Sequence, residues 1–381
     1  MRVWVIGRGF PTKANNMLGS FEFEQAQILA KHGYEVYYPV LDLRSIRHKR
    51  KYGVIKRDLD GVTVVTLSIP IGRILPVKFR TWLILRLKEK MYSNVVREFG
   101  RPDIIHVHYP ACFMFRPFRQ IKSLGAKIVC TEHWTKVLNK TLDKINIEYL
   151  KDYVENCDEV MCVGEGMVSS IKDLTESDRE IKVVPNIVSN EFGFKERSES
   201  DGTFRFVGVG RLVPCKRFDL LIRAFTDEFK GDNRFHLDII GGGEEYLPLK
   251  KLIHDRGCEN QISLLGVMER NKIAEYYHEC DALVMSSNLE TFGVPIIEAM
   301  ASGLPVITTD AMGFPSLFHK EHGYIIPKDD EKALANAMRT LFNNYSEFDG
   351  EKISAYARKH FGEDTVFNML NDVYTDKMDI S

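Results

Sequence analysis

An α/β chain of two doubly wound domains is the fold class this sequence predicts, and three observations carry it. Short β-branched runs alternate with amphipathic stretches from end to end, the pattern of parallel strands covered by helices. At 381 residues one hydrophobic core normally gives way to two. Between two series of such runs lies a polar break, Ser189 to Gly202, that lacks apolar periodicity.

The first series predicts strands at Arg2–Ile6, Glu35–Val40, Val62–Leu67, Ile104–Val107, Lys127–Thr131, Glu159–Val163 and Ile181–Val184. The second predicts Phe204–Gly208, Phe235–Ile240, Ile262–Leu265, Ala282–Met285, Pro305–Thr308 and Tyr324–Ile326. The expected organisation is a first domain over 1–188, a linker over 189–202 and a second domain over 203–360. Residues 361–381 are helical in pattern and able to return to the first domain.

Composition narrows the class further. With 44% hydrophobic and 28% charged residues, disordered, collagen-like and small disulfide-stapled chains are excluded. The seven cysteines form no CxxC pair and none stands beside a histidine at zinc-ligand spacing, so a reduced chain without structural metal is expected. The apolar start, Met1 to Gly7, is too short for a signal peptide and reads as a first strand. No run approaches the roughly 20 apolar residues of a spanning helix. The net charge of −1 conceals an asymmetry: residues 1–130 hold 23 Lys and Arg against 9 Asp and Glu, a balance of +14, and the remainder balances at −15. Such a field gathers anions: lipid headgroups, phosphorylated substrates or nucleic acid. Nucleic acid is the weaker partner, since no RNA or DNA module is visible.

The segment Ser286 to Ile307 is the most informative. Pro295 suits a first helical turn and Gly303 a helix end. Glu290 then lies in the loop after a strand and Glu298 about one turn inside the helix. Amides at Phe292, Gly293 and Val294 form an anion site at the helix N-terminus. The plainer alternative is a helix whose early acids answer its macrodipole. Upstream, a buried strand ends in Gly210, and Arg211 and Lys216 flank the turn that follows. Two cations at the carboxyl end of a parallel strand stand where such sheets bind ligands and suit a diphosphate. They are equally readable as solvated loop residues. Asp58-Leu59-Asp60 matches a DxD pattern by which some enzymes hold a metal ion, but it precedes Gly61 and a strand and reads as a turn.

Together these segments resemble the retaining glycosyltransferases of family 4, which have the GT-B fold of two Rossmann-like domains facing a cleft. The likeness runs through Gly19 to Ala26, Leu29 to Val36, Pro102 to His108, Thr131-Glu132-His133-Trp134, Val184-Pro185-Asn186, Gly210-Arg211 with Lys216, Gly241-Gly242-Gly243, and Glu290 to Glu298. It departs at Leu18-Gly19-Ser20, where many members have adjacent glycines, and at Ile187, where glycine is usual.

The resemblance implies a hexosyltransferase that moves a sugar from a nucleotide-diphosphate donor to a glycan or lipid-linked acceptor in bacterial surface polysaccharide synthesis, with no metal and no cofactor. It implies that Arg211 and Lys216 hold the diphosphate and that Glu298 takes the ribose. Glu290 holds donor-sugar hydroxyls, the amides near Phe292, Gly293 and Val294 hold the distal phosphate, and Gly19, Gly241 and Gly243 approach the donor. His133 lies near the anomeric centre, with His106 and His108 ranked below it; on one strand these two share a face. Retention follows from a front-face route in which the leaving phosphate helps deprotonate the acceptor. Rival readings are a sugar-nucleotide epimerase on a GT-B fold and a non-catalytic binding subunit. The basic residues from Arg44 to Arg57 and the mixed apolar and basic stretch from Ile71 to Lys88 suggest an anionic membrane surface as a partner for residues 44–90. The plainer reading there is a solvated loop and an ordinary helix. A cytoplasmic protein, peripheral on the inner face of the plasma membrane, is the expected location.

Overall fold

The computed structural model describes residues 1–11, 19–45, 47, 50–71, 76–111, 121–196 and 202–376, with the backbone alone at 77, 78, 80 and 81. Two compact units emerge: Met1–Ile187 with Val366–Ser381, and Val188–Thr365.

The first unit is built on β1 (Arg2–Ile6), β2 (Glu35–Asp42), β3 (Gly53–Leu59), β4 (Val62–Ser68), β5 (Ile104–His108), β6 (Lys127–Glu132), β7 (Glu159–Cys162) and β8 (Lys182–Val183). Their order is β3-β4-β2-β1-β5-β6-β7-β8, parallel throughout except for the β3–β4 pair. β1 takes the middle because Val3, Trp4 and Val5 are apolar on both faces and fully buried. Chain direction through the sheet reverses between β1 and β5, so the loops after these strands flank a topological switch point, where such sheets take ligands.

β3 corrects the expectation of a solvated loop. It is an exposed edge strand joined to β4 through Asp60 and Gly61, both at positive φ (53° and 80°). Asp58 accepts from Gly61 N at 3.2 Å and Asp60 from Gln27 Nε2 at 2.7 Å. The basic stretch is partly neutralised: Arg44 and Arg50 both pair with Asp42, at 2.8 and 2.9 Å, and Lys56 pairs with Glu98. Lys49, Arg73 and the side chains of Lys78 and Arg80 lie outside the described residues.

The helix Glu363–Thr375 buries Val366, Leu370, Val373 and Tyr374 in the first unit's core beside Val3, Phe23 and Leu29. Phe367 stacks on His32 at 3.7 Å.

The second unit has six parallel strands, β9 (Phe204–Val209), β10 (Phe235–Ile240), β11 (Ile262–Gly266), β12 (Ala282–Met285), β13 (Val306–Thr309) and β14 (Gly323–Ile326). In the order β11-β10-β9-β12-β13-β14 the switch point falls between β9 and β12. Phe206, Phe225, Phe229 and Phe235 fill the core below. The stretch from Ser189, expected as linker, packs into this unit: Phe192 is fully buried and 5.9 Å from the Tyr277 ring, and Asn190 accepts from Arg358 Nη1 at 3.0 Å.

Candidate functional site

In the second unit the loops after β9 and β12 are joined by main-chain and hydroxyl contacts. Asn288 N donates to Cys215 O at 3.0 Å, and Ser286 Oγ donates to Lys216 O and Arg217 O at 3.0 and 2.9 Å. This brings Lys216 Nζ onto Glu290 Oε1, which also accepts from Ser287 Oγ at 2.7 Å. Both partners are mostly buried, with side chains 15% and 10% exposed. Arg211 is exposed, and its guanidinium has no hydrogen bond or ion pair among the described residues.

The glycine run after β10 has a main-chain reason. A Cβ at Gly241 would lie 1.8 Å from Gly210 O, and one at Gly243 would lie 2.2 Å from Leu212 O. The two turns on either side of Arg211 therefore lie backbone to backbone, which only glycine permits.

The helix Val294–Ala301 starts at Gly293, whose φ of 98° suits glycine, and no side chain caps it. Amides of Phe292, Gly293 and Val294 donate to no main-chain acceptor among the described residues. They are an uncapped, positively polarised helix end. The Phe292 ring itself is buried against Phe314 and Phe361, 4.9 and 5.9 Å away, so Phe292 offers its backbone alone. One turn on, Glu298 is 5% exposed and accepts from Arg270 Nε at 2.6 Å. Burial raises its pKa above the usual carboxylate value, and Arg270 opposes this.

In the first unit the carboxyl ends of β1, β5 and β6 assemble a different kind of site. Gly19 begins the helix Ser20–Lys31 at φ 77°, and Glu22 in its first turn is fully buried, 3.6 Å from Arg8 Nε. Arg8 lies over the Tyr109 ring at 3.6 Å, and Tyr109 stacks on His133 at 4.6 Å. His133 Nε2 is 2.9 Å from His108 Nδ1. Burial, reinforced by Arg8, holds His133 well below the ordinary histidine range, so the ring is neutral.

Glu132 fixes the main chain here. It accepts from His133 N and Trp134 N at 2.8 and 2.7 Å and from Ala111 N at 3.2 Å. Burial pushes its pKa up to about 7 against those three donors. Of the site residues expected from sequence, the structure places Lys216 against Glu290, Gly241 and Gly243 beside the Arg211 turn, and Phe292, Gly293, Val294 and Glu298 at one helix start. Gly19 and His133 belong to the first unit. Sequence reasoning assigned no role to Glu132, Arg270, Ser287 or Arg8. Glu132 had a signal, an acid directly before the histidine at a strand end; the pairing of Arg270 with Glu298 spans 28 positions and left none.

Models of known families match both units: "Glycosyltransferase Family 4" over residues 23–192 and "Glycosyl transferases group 1" over 189–360. The O-antigen chain mannosyltransferase RfbU of Salmonella typhimurium is 30% identical over 255 residues, 59% of this chain and 70% of that protein. This chain belongs to glycosyltransferase family 4. The family 4 enzyme is also similar to the N-acetyl-alpha-D-glucosaminyl L-malate synthase of Bacillus anthracis, at 24% identity over 77% of this chain and 79% of that one. The crystal structure of Anabaena HepE in complex with UDP-glucose superposes with a TM-score of 0.69 at 18% identity, covering 98% of this chain and 99% of the other. Both units of the glycosyltransferase are thus Rossmann-like domains of the GT-B class, and no helix among the described residues is long and apolar enough to cross a membrane.

Proposed function

We propose that this family 4 glycosyltransferase moves a hexosyl group, with retention, from a nucleotide-diphosphate sugar to a glycan or lipid-linked acceptor of a surface polysaccharide. The observation that carries the reading is the partly unsatisfied cationic set of the second unit: Lys216 held on Glu290, the Arg211 guanidinium, which has no partner among the described residues, and the uncapped amides at Gly293 and Val294. Two cations and a helix N-terminus supply what a departing diphosphate requires, so the reaction proceeds without a metal. Glu298 takes ribose hydroxyls, and Glu290 takes hydroxyls of the sugar. His133 and its neighbours, neutral and buried, serve the sugar side. The UDP-glucose bound by Anabaena HepE supports a nucleotide-sugar donor; the acceptors named for the relatives differ in kind, an O-antigen chain and L-malate.

The test is a panel of nucleotide sugars screened by thermal shift in EDTA, followed by transfer assays with NMR of the product. A donor that binds the folded state raises the unfolding temperature, and donor and product are expected to share anomeric configuration. A requirement for added manganese, or an inverted product, overturns the reading.

A second observation supports a membrane partner. On the helix Val77–Phe99, Phe79 and Trp82 are half exposed and stack at 5.6 Å, and further along Arg86 is exposed and paired with Glu89 at 3.1 Å. We propose that this end of the helix docks on an anionic bilayer, apolar rings inserting while cations meet headgroups. Lys88, buried in the same helix, takes no part. Wild type is expected to cosediment with acidic liposomes at low salt and Trp82→Ser to lose most of that binding; wild type ignoring acidic liposomes refutes the proposal.

A further inference from the structure

The first unit carries more buried imidazole than the proposed transfer uses. His106 and His108 are fully buried and His133 is 6% exposed. His106 and His108 share one face of β5, with rings 4.0 Å apart. His106 is held at both nitrogens, by Tyr374 Oη at Nδ1 and by Thr131 Oγ1 at Nε2, each at 2.7 Å. Tyr374 comes from the C-terminal helix, so the returning segment fixes the wall against which His108 lies. His108 has Nδ1 on His133 and Nε2 sealed from solvent with no partner among the described residues.

The groups that act on His108 are His106, His133 and Arg8, and all oppose a positive charge there; burial acts in the same direction on all three rings. The 2.9 Å contact therefore joins two neutral rings and carries one proton. If His133 Nε2 were the donor, His108 would hold its own proton on Nε2, a buried N–H with no acceptor. If His108 Nδ1 donates, its Nε2 is a bare lone pair, and His133 carries its proton on Nδ1. An orphaned buried N–H is the rarer defect in folded proteins.

We infer that His108 is a positioning residue that fixes His133 as the neutral Nδ1–H tautomer, so that His133 offers its ligand a hydrogen-bond donor and not a base. His133 Nδ1 is the ring nitrogen that no described residue takes. The consequence for transfer rests on the reading given under Proposed function. A ring fixed in this way can donate to a sugar oxygen but cannot accept the acceptor's proton at Nδ1. The acceptor hydroxyl then gives its proton to the departing diphosphate oxygen as the sugar–phosphate C–O bond breaks and the new C–O bond forms.

The experiment is two-bond ¹H–¹⁵N correlation on protein labelled with ¹⁵N-histidine, His133 being assigned by its loss in His133→Ala. At neutral pH wild type is expected to show His133 protonated at Nδ1 and bare at Nε2. His108→Asn, whose side-chain amide takes the place of Nδ1, keeps that pattern. His108→Asp, which offers acceptor oxygens in place of the Nδ1 donor, switches the His133 proton to Nε2 and lowers turnover roughly tenfold, the size of one hydrogen bond, with donor KM unchanged. A wild-type His133 protonated at Nε2 or at both nitrogens overturns the inference, as does a His133 Nε2 that stays bare in His108→Asp. Should the aspartate variant fail to fold, the wild-type and asparagine spectra decide. Unimpaired turnover in His133→Ala would refute the transfer role while leaving the tautomer to be read on its own.

Discussion

The two units place polar groups at the same topological position, the switch point of a parallel sheet, yet equip it in opposite ways. In the second unit the site is charged: Lys216 with Glu290, Arg270 with Glu298, and Arg211 without a partner among the described residues. In the first the ion pair of Arg8 with Glu22 stands beside three histidines held uncharged by burial and Glu132 pushed up to about 7. The difference teaches that fold alone does not decide a site's chemistry. What decides it is whether each group has a charged partner within reach: burial raises the pKa of Glu298 and Arg270, 2.6 Å away, opposes that rise, whereas His108 has another imidazole and a sealed nitrogen.

The comparison breaks most sharply at the second unit's backbone. Gly241→Ala would push a Cβ to 1.8 Å from Gly210 O, and the loss should reach about 3 kcal/mol or more because neither backbone has room to give. Gly33→Ala, with nothing within 4 Å but a φ of 88°, should cost only about 1–2 kcal/mol. Equal melting temperatures for the two variants would show that the β9 and β10 turns are not locked.

Acid should destabilise the first unit through its three buried imidazoles, and the second through His322, whose pKa burial lowers to about 4. A histidine whose folded pKa is depressed stays neutral while the unfolded chain takes up a proton, so its contribution is complete above pH 6.5 and lost as pH falls toward about 3, the value for His106. Glu132 acts oppositely between pH 4.5 and 7, where the folded state holds the extra proton. Urea unfolding of wild type should therefore lose stability below pH 6.5, and Glu132→Gln should steepen that loss between pH 6.5 and 4.5 by up to about 1.4 kcal/mol per pH unit. Stability flat from pH 7 to 4 would mean that the imidazoles are solvated.

A smaller effect is expected at Arg270. Without it the buried Glu298 carboxyl protonates at higher pH, so donor affinity in Arg270→Gln should fall roughly three- to tenfold between pH 8 and 6. Wild type and Arg270→Lys should change little. Tyr277 and Glu191 also face this carboxyl and are common to all three proteins. Parallel pH profiles for wild type and Arg270→Gln would separate Arg270 from the donor site.

Much of the fold was legible because buried parallel strands are continuous apolar runs: β1, β10 and β12 fall on the residues that the pattern predicts. β3 was not, since Val54, Lys56, Arg57 and Asp58 are exposed on an edge strand, and an edge without a buried face leaves no alternation to read. Phe192 and Phe194 are two apolar residues in a polar stretch, too few for a periodicity to show. In the second unit Arg211, Lys216, Glu290 and Glu298 were legible through the resemblance, while Arg270 and Ser287 were not. In the first unit His133, His106 and His108 were singled out, but the contact between His108 and His133 was hidden, because it depends on β5 and β6 lying side by side in the register that sets His108 against Thr131.

The central claim is a division of labour: the charged site of the second unit holds the donor's diphosphate and the neutral site of the first serves the sugar. Calorimetric titration of the preferred nucleotide sugar, in EDTA, against Lys216→Ala and His133→Ala tests it most directly. Lys216→Ala removes a charge-assisted contact of about 1.5–3 kcal/mol, so its Kd should rise at least roughly tenfold, whereas His133→Ala should bind as wild type does and lose turnover. Unchanged affinity in Lys216→Ala together with lost affinity in His133→Ala would contradict the account.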